Sequence, residues 1–122
     1  MAKILIIDDD RFWRLALKTM LDSQGHEVIE ATTGLEGESA LAASNIDLVF
    51  TDIFMPDQDG LQTIINIRRI NEEIPIVAMS AGGNAREYDY LNHATILGAS
   101  HTFVKPIQPA DLARVLETVT CE

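Results

Sequence analysis

Ile4-Leu5-Ile6-Ile7-Asp8-Asp9-Asp10 opens the chain, and Leu48-Val49-Phe50-Thr51-Asp52 and Phe103-Val104-Lys105-Pro106 repeat its pattern. Each is a short apolar run that ends in charge. A parallel strand buried on both faces reads this way where its C-terminal end reaches solvent. In open α/β sheets, ligands bind in the crevice outside those ends. If the three strands are neighbours, at least three carboxylates and one ammonium share a small space. Two carboxylates about 4 Å apart repel by about 4 kcal/mol at an effective dielectric of about 20. A hard divalent cation relieves that repulsion, and oxygen-only ligands favour magnesium over zinc or copper. A metal site beside an acceptor carboxylate and a lysine points to phosphoryl transfer.

Working outward, the pattern alternates strand and helix. Strands are expected at about 3–8, 27–31, 47–51, 75–79 and 101–104, and helices at about 11–23, 34–43, 60–71, 86–97 and 109–120. Trp13, Leu17, Met20 and Leu21 fall on one face of the first helix, and Gly25 follows to stop it. Thr33-Gly34-Leu35-Glu36 has capping-box spacing. The third helix carries Leu61, Ile64 and Ile65, then Arg68; the fifth starts at Pro109 and lines up Leu112, Val115, Leu116 and Val119. Pro75 begins the fourth strand, where its missing N–H is tolerated. Short connections imply right-handed crossovers, with helices on both faces of a parallel sheet. Local pattern alone does not give the strand order.

The 122 residues suit one domain, and 47% hydrophobic content supports a core. No apolar stretch approaches the length of a membrane span, and because the N-terminus runs directly into a strand-like run, no signal peptide is expected. The lone Cys121 excludes an internal disulfide, fits a reducing cytoplasm and reads as an exposed bystander. A formal charge of −10, with scattered basic residues, disfavours direct nucleic-acid binding. A helix N-terminus accounts for Asp10, but not for three adjacent acids at a strand end. Asp57 and Asp59 read as turn residues. His26, His93 and His101 lack ligand spacing, and Trp13, Tyr88 and Tyr90 read as core or rim residues.

Taken in order, several segments together resemble the receiver domain of two-component response regulators along essentially the whole chain. They are Ile7-Asp8-Asp9-Asp10 with Arg14, Leu17 and Leu21; Asp52-Ile53-Phe54-Met55-Pro56 with Gly60; Met79-Ser80-Ala81; Gly98-Ala99; and Phe103-Val104-Lys105-Pro106. The resemblance implies a doubly wound, flavodoxin-like (βα)5 fold with strand order 2-1-3-4-5. It implies that Asp52 accepts a phosphoryl group from a phosphohistidine on a sensor histidine kinase or phosphotransfer protein. It implies Mg2+ held directly by Asp9, Asp52 and the Phe54 carbonyl, and by Asp8 through water. Lys105 and Ser80 would pair with phosphoryl oxygens, Ala81 would leave room for the group, and Pro106 would follow a cis peptide bond. Magnesium and Lys105 would both favour ionised Asp52. The phosphorylated domain would signal to a downstream protein through its fourth helix, fifth strand and fifth helix.

Two features depart from the family pattern. Thr102 stands where receivers often carry a switching aromatic residue, and the loop Ala81-Gly82-Gly83-Asn84-Ala85-Arg86 is long and glycine-rich. Three other readings compete. Asp8-x-Asp10 matches the DxD of haloacid-dehalogenase-like phosphohydrolases, but that family needs a further acidic pair late in the chain, for which Asp111 and Glu117 are the candidates, and it is usually longer. A flavodoxin-like cofactor binder needs a phosphate loop where this chain places three negative charges. A degenerate docking receiver would not need the full set of Asp8, Asp9, Asp52, Ser80 and Lys105. No output domain follows the fifth helix in this sequence, which leaves a stand-alone receiver and a piece of a longer regulator both open.

Overall fold

Five parallel strands pair in the order β2-β1-β3-β4-β5 in the computed structural model, which describes residues 2–54, 60–81 and 85–120. Met55 to Asp59, Gly82 to Asn84, the side chain of Tyr88 and Cys121 lie outside the described residues. The strands are β1 (Lys3–Ile7), β2 (Glu27–Ala31), β3 (Leu48–Asp52), β4 (Ile76–Ser80) and β5 (His101–Val104). The helices are α1 (Arg11–Ser23), α2 (Gly34–Ala43), α3 (Gly60–Ile70), α4 (Ala85–Leu97) and α5 (Pro109–Thr120). The α/β, flavodoxin-like order implied by the resemblance is therefore the observed one.

Side-chain alternation along the strands divides the interior into two cores. Leu5, Ile7, Val49, Ile76 and Ala78 face α2, α3 and α4, where Leu41, Ile64, Ile67, Leu91 and Ala94 meet them. Ile4, Ile6, Leu48, Phe50, Val77 and Met79 face Leu17, Leu21, Leu112, Val115 and Leu116 of α1 and α5. Ile4, Leu5, Ile6 and Ile7 are each 0% exposed, because this strand is covered on both faces. The sheet reverses its direction of growth between β1 and β3, and the crevice at that reversal is where an α/β sheet places its site.

Several local expectations need adjustment. Strands β3 and β4 each run one residue further than their apolar runs, taking in Asp52 and Ser80. The ladder continues past the hydrophobic residues: Ile53 N donates to Met79 O at 3.0 Å and Lys105 N to Ser80 O at 2.6 Å. On α3 the buried face is Gly60, Thr63, Ile64 and Ile67, not Leu61 and Ile65. The α2 cap is offset. Glu36 N donates to Thr33 Oγ1, but the Glu36 carboxylate reaches back to the N–H and hydroxyl of Thr32. Gly25, at φ +85°, closes α1 as its position suggests. Arg68 is a cross-brace rather than a surface charge. Its Nε and Nη2 donate to Gly98 O at 3.1 and 2.6 Å, tying the end of α3 to the end of α4.

Gly60 begins α3 directly beneath the end of β3. A Cβ there would lie 2.2 Å from Ile53 Cα and 2.6 Å from Asp52 O, so backbone would have to move. Gly60→Ala should lower stability by roughly 1–3 kcal/mol, the usual range for overpacking, seen as a lower melting temperature in thermal unfolding.

Candidate functional site

Register brings the charged ends together. Ile7 pairs with Thr51, Asp52 with Met79 and Ser80 with Val104. Asp8, Asp52, Ser80 and Lys105 thus stand at the same edge of four successive strands, β1, β3, β4 and β5. The carboxylate oxygens of Asp8, Asp9 and Asp52 lie within 4.8 Å of one another. Asp8 and Asp52 are buried, whereas Asp9 is exposed at the mouth. All donors are hard oxygens, and one is open to water; that set suits a small divalent cation that keeps part of its hydration shell.

The partners of each group are specific. Asp8 Oδ1 accepts from Asp10 N at 2.9 Å, and Asp8 Oδ2 accepts from Lys105 Nζ at 2.7 Å. Arg14 Nη1 donates to the Asp8 carbonyl at 2.9 Å and its Nε pairs with Glu30 at 3.1 Å, which fixes the backbone of the acid run. Asp10 is the α1 cap, accepting from Phe12 N and Trp13 N, so it points away from the cluster's shared oxygens. Lys105 Nζ stands 3.8 Å from Asp52 Oδ2, farther than from Asp8. The Lys105–Pro106 peptide is cis. Ser80 is fully buried at the end of β4.

Asp52 is not held ionised by Lys105. Burial is the largest influence and raises its pKa from 3.8 to about 7; Lys105 opposes this, Asp8 and Asp9 add to it, and the Phe54 N–H opposes it weakly. The expectation that Lys105 favours the ionised form is right in sign but outweighed, because the lysine's short contact is with Asp8. Positive charge placed among these carboxylates, such as a divalent cation, would favour the ionised form.

Sequence reasoning missed two aromatic contacts. Phe54, two residues after Asp52, stacks on Tyr90 of α4 with ring centroids 4.8 Å apart and planes 22° from parallel. Trp13 lies 5.7 Å, centroid to Nζ, from Lys105. Each contact joins residues far apart in the chain, so helical spacing gave no sign of either. Thr102 is half-buried between His101 and Phe103, whose rings stack 6.4 Å apart. His26 is structural, its Nδ1 accepting from Ala2 N at 3.0 Å. No helix among the described residues is long and apolar enough to cross a membrane.

Comparison with known proteins agrees with this geometry. The family model of the response regulator receiver domain matches residues 4–117. The chain is 34% identical over 119 residues to the chemotaxis protein CheY of Thermotoga maritima, covering 97% of each chain. It is 32% identical over 104 residues to the sporulation initiation phosphotransferase F of Bacillus subtilis, covering 85% of this chain and 82% of that one. A receiver domain protein structure from Clostridium thermocellum superposes with a TM-score of 0.88 at 28% identity, covering 98% of this chain and 94% of that one. The chain belongs to the receiver domain family, the phosphoacceptor signalling modules of two-component response regulators. The phosphohydrolase and cofactor-binding readings are set aside.

The raised pKa of Asp52 carries a sign for stability. A folded-state pKa above the unfolded value means that the folded form binds the proton more tightly. Its destabilising effect is therefore absent below about pH 4 and grows as pH rises through about 7, toward an order of 4 kcal/mol in the metal-free protein. Asp52→Asn should leave stability at pH 4 nearly unchanged and raise it at pH 8. Denaturant unfolding at both pH values, in chelator, checks this; an equal effect at both would contradict it.

Proposed function

We propose that Asp52 is the phosphoacceptor and that the 122 residues act as one Mg2+-dependent receiver domain. The observation that carries this reading is the convergence of Asp8, Asp9, Asp52 and Lys105 at adjoining strand ends, with Asp52 buried among them. The Asp52 carboxylate attacks phosphorus in line. The P–N bond of the donor phosphohistidine breaks, its electron pair stays on the imidazole, and a P–O bond to Asp52 forms. Magnesium, when bound, supplies positive charge to the carboxylates and to the transferring oxygens. Asp9, Asp52 and the Phe54 carbonyl would hold it. Asp8, with an oxygen each engaged by Asp10 N and Lys105, would act through water.

Lys105 takes up a phosphoryl oxygen as the charge on Asp52 becomes that of the acyl phosphate, and the Ser80 hydroxyl donates to another. Ala81 leaves that side of the site open. The same groups serve acceptance and later hydrolysis, so the domain promotes both its own phosphorylation and its own dephosphorylation. The donor is a sensor histidine kinase or phosphotransfer protein in the cytoplasm, and the target is a protein. The charge of −10 opposes direct nucleic-acid contact by this domain, and nothing in the reading requires a membrane.

The signal leaves through α4, β5 and α5. Thr102 lacks the ring that many receivers rotate, but Phe54 follows the acceptor and stacks on Tyr90 of α4, which gives the site a direct contact with the output face. Phosphorylation then shifts an existing equilibrium between two arrangements.

Millimolar magnesium should raise the melting temperature of the wild type, since it binds only the folded arrangement. Asp9→Ala should abolish that rise. Incubation with a small phosphodonor and magnesium should add one phosphoryl mass to the wild type and none to Asp52→Asn; equal uptake by the variant would place the acceptor elsewhere. A second measurement addresses output. Beryllofluoride should shift amide resonances of α4 and β5 in the wild type, and Phe54→Ala should reduce the α4 shifts while leaving phosphate uptake intact. Shifts confined to α1 and α2 would overturn the proposed face.

A further inference from the structure

We infer that Trp13 is a positioning residue for Lys105: its indole face holds the lysine ammonium in the acceptor site, and its emission reports where that ammonium sits. The inference rests on Asp52 being the phosphoacceptor.

The Lys105 side chain is only 4% exposed, so water does little to fix its head group. An ammonium has three protons to direct. One points to Asp8 Oδ2 at 2.7 Å, and a second side faces Asp52 Oδ2 at 3.8 Å. The Trp13 ring, 5.7 Å away, covers a further side. That lies within the range at which a cation is drawn to an aromatic face, and tryptophan offers the strongest such face. Trp13 also lines an apolar cavity of about 240 Å³ together with Lys105, Met79 and Ile107. Removing the indole would enlarge that space beside the ammonium and let water compete for it.

The indole is itself held in place. Its backbone N–H donates to Asp10 Oδ1 at 3.4 Å, so the helix cap of the acid run also anchors the aromatic turn. Phe12 packs edge-on against it, with centroids 5.4 Å apart and planes at 81°. The contact that reaches the site from Trp13 is the one with Lys105, so it acts through Lys105. A plain apolar rim residue in that position would be replaceable by leucine or methionine, and the two roles separate on this point.

Trp13 is the single tryptophan of the chain, so its fluorescence is a one-site signal. A unit charge moving near an indole changes its emission, because the excited state carries a larger dipole than the ground state. When Lys105 swings from Asp8 toward a phosphoryl oxygen on Asp52, emission should change in step with phosphate uptake.

The test uses the full chain with a small phosphodonor and magnesium, followed by mass measurement and by stopped-flow fluorescence. Trp13→Leu should slow phosphate uptake roughly 2- to 30-fold, the span expected from losing a cation–π contact. Trp13→Phe, which keeps an aromatic face, should recover most of the rate. Magnesium-dependent stabilisation should persist in both, which separates positioning from misfolding. In the unphosphorylated chain, Lys105→Met should alter Trp13 emission while the indole stays in place. Uptake by Trp13→Leu equal to wild type, uptake by Trp13→Phe as slow as Trp13→Leu, or emission unchanged by Lys105→Met would overturn the inference. A wild type that takes up no phosphate at all would overturn the acceptor reading, and this inference with it; normal uptake with indifferent Trp13 variants would overturn this inference alone.

Discussion

Three carboxylates, two of them buried, facing one buried ammonium is the constraint on which the rest of the site depends. Asp8, Asp9 and Asp52 bring their oxygens within 4.8 Å, and Lys105 makes its short contact with only one of them. A buried charge left without a close partner is expensive, so the protein answers by letting the Asp52 proton stay on until pH about 7. The resting site is consequently short of positive charge in the physiological range. That shortage suits a hard cation among the carboxylates.

The sheet produces this crowding by ordinary means. Strand β1, with 0% exposure from Ile4 to Ile7, can only lie between covered faces, so its charged continuation must emerge at the sheet's end. Parallel pairing then aligns the ends of its neighbours, and the ladder bond from Lys105 N to Ser80 O brings the lysine to the same edge. Much of this was legible in the sequence, because apolar runs that stop in charge mark strand ends and their order along the chain marks the α/β alternation. The strand order itself came from the resemblance, since local patterning carries no information about which strands are neighbours. Positions 52 and 80 were placed just outside their strands because polarity was taken as the end of pairing. Backbone hydrogen bonds are indifferent to side-chain polarity, and they continued.

What the sequence did not reveal is tertiary by nature. Arg68 resembles any charge near a helix end, yet it closes the gap between α3 and α4 by donating to Gly98 O. Phe54 lies just past the end of β3 and Tyr90 lies on a helix with little amphipathic pattern, so their stack has no periodic signature. Ile67 was overlooked on α3 because a turn-spaced pair, Leu61 and Ile65, fits a helical stripe equally well, and only packing against the sheet selects Gly60, Thr63, Ile64 and Ile67. Composition and spacing describe what each element can bury. They do not describe which of two adequate faces the neighbouring element prefers.

The aromatic contacts give this receiver a particular internal logic. Thr102 offers no ring on β5, while Phe54 connects the segment just after Asp52 to α4 through ring stacking. An aromatic pair of this kind contributes about 0.5–1.5 kcal/mol beyond its buried area, comparable to the bias that separates two modestly populated states. On the opposite side, the lysine has two carboxylates at unequal distances, 2.7 and 3.8 Å. A phosphoryl group on Asp52 adds negative charge on the farther side and weakens the preference for the nearer one. Under the proposed function, Lys105 is then the element whose position would distinguish the two states. Because Asp8 belongs to both the carboxylate cluster and the lysine pair, a cation held by that cluster would also act on the position of Lys105. Asp8, Asp9, Asp52 and Lys105 form one charge network, and under the proposed function a phosphoryl group on Asp52 would change its balance.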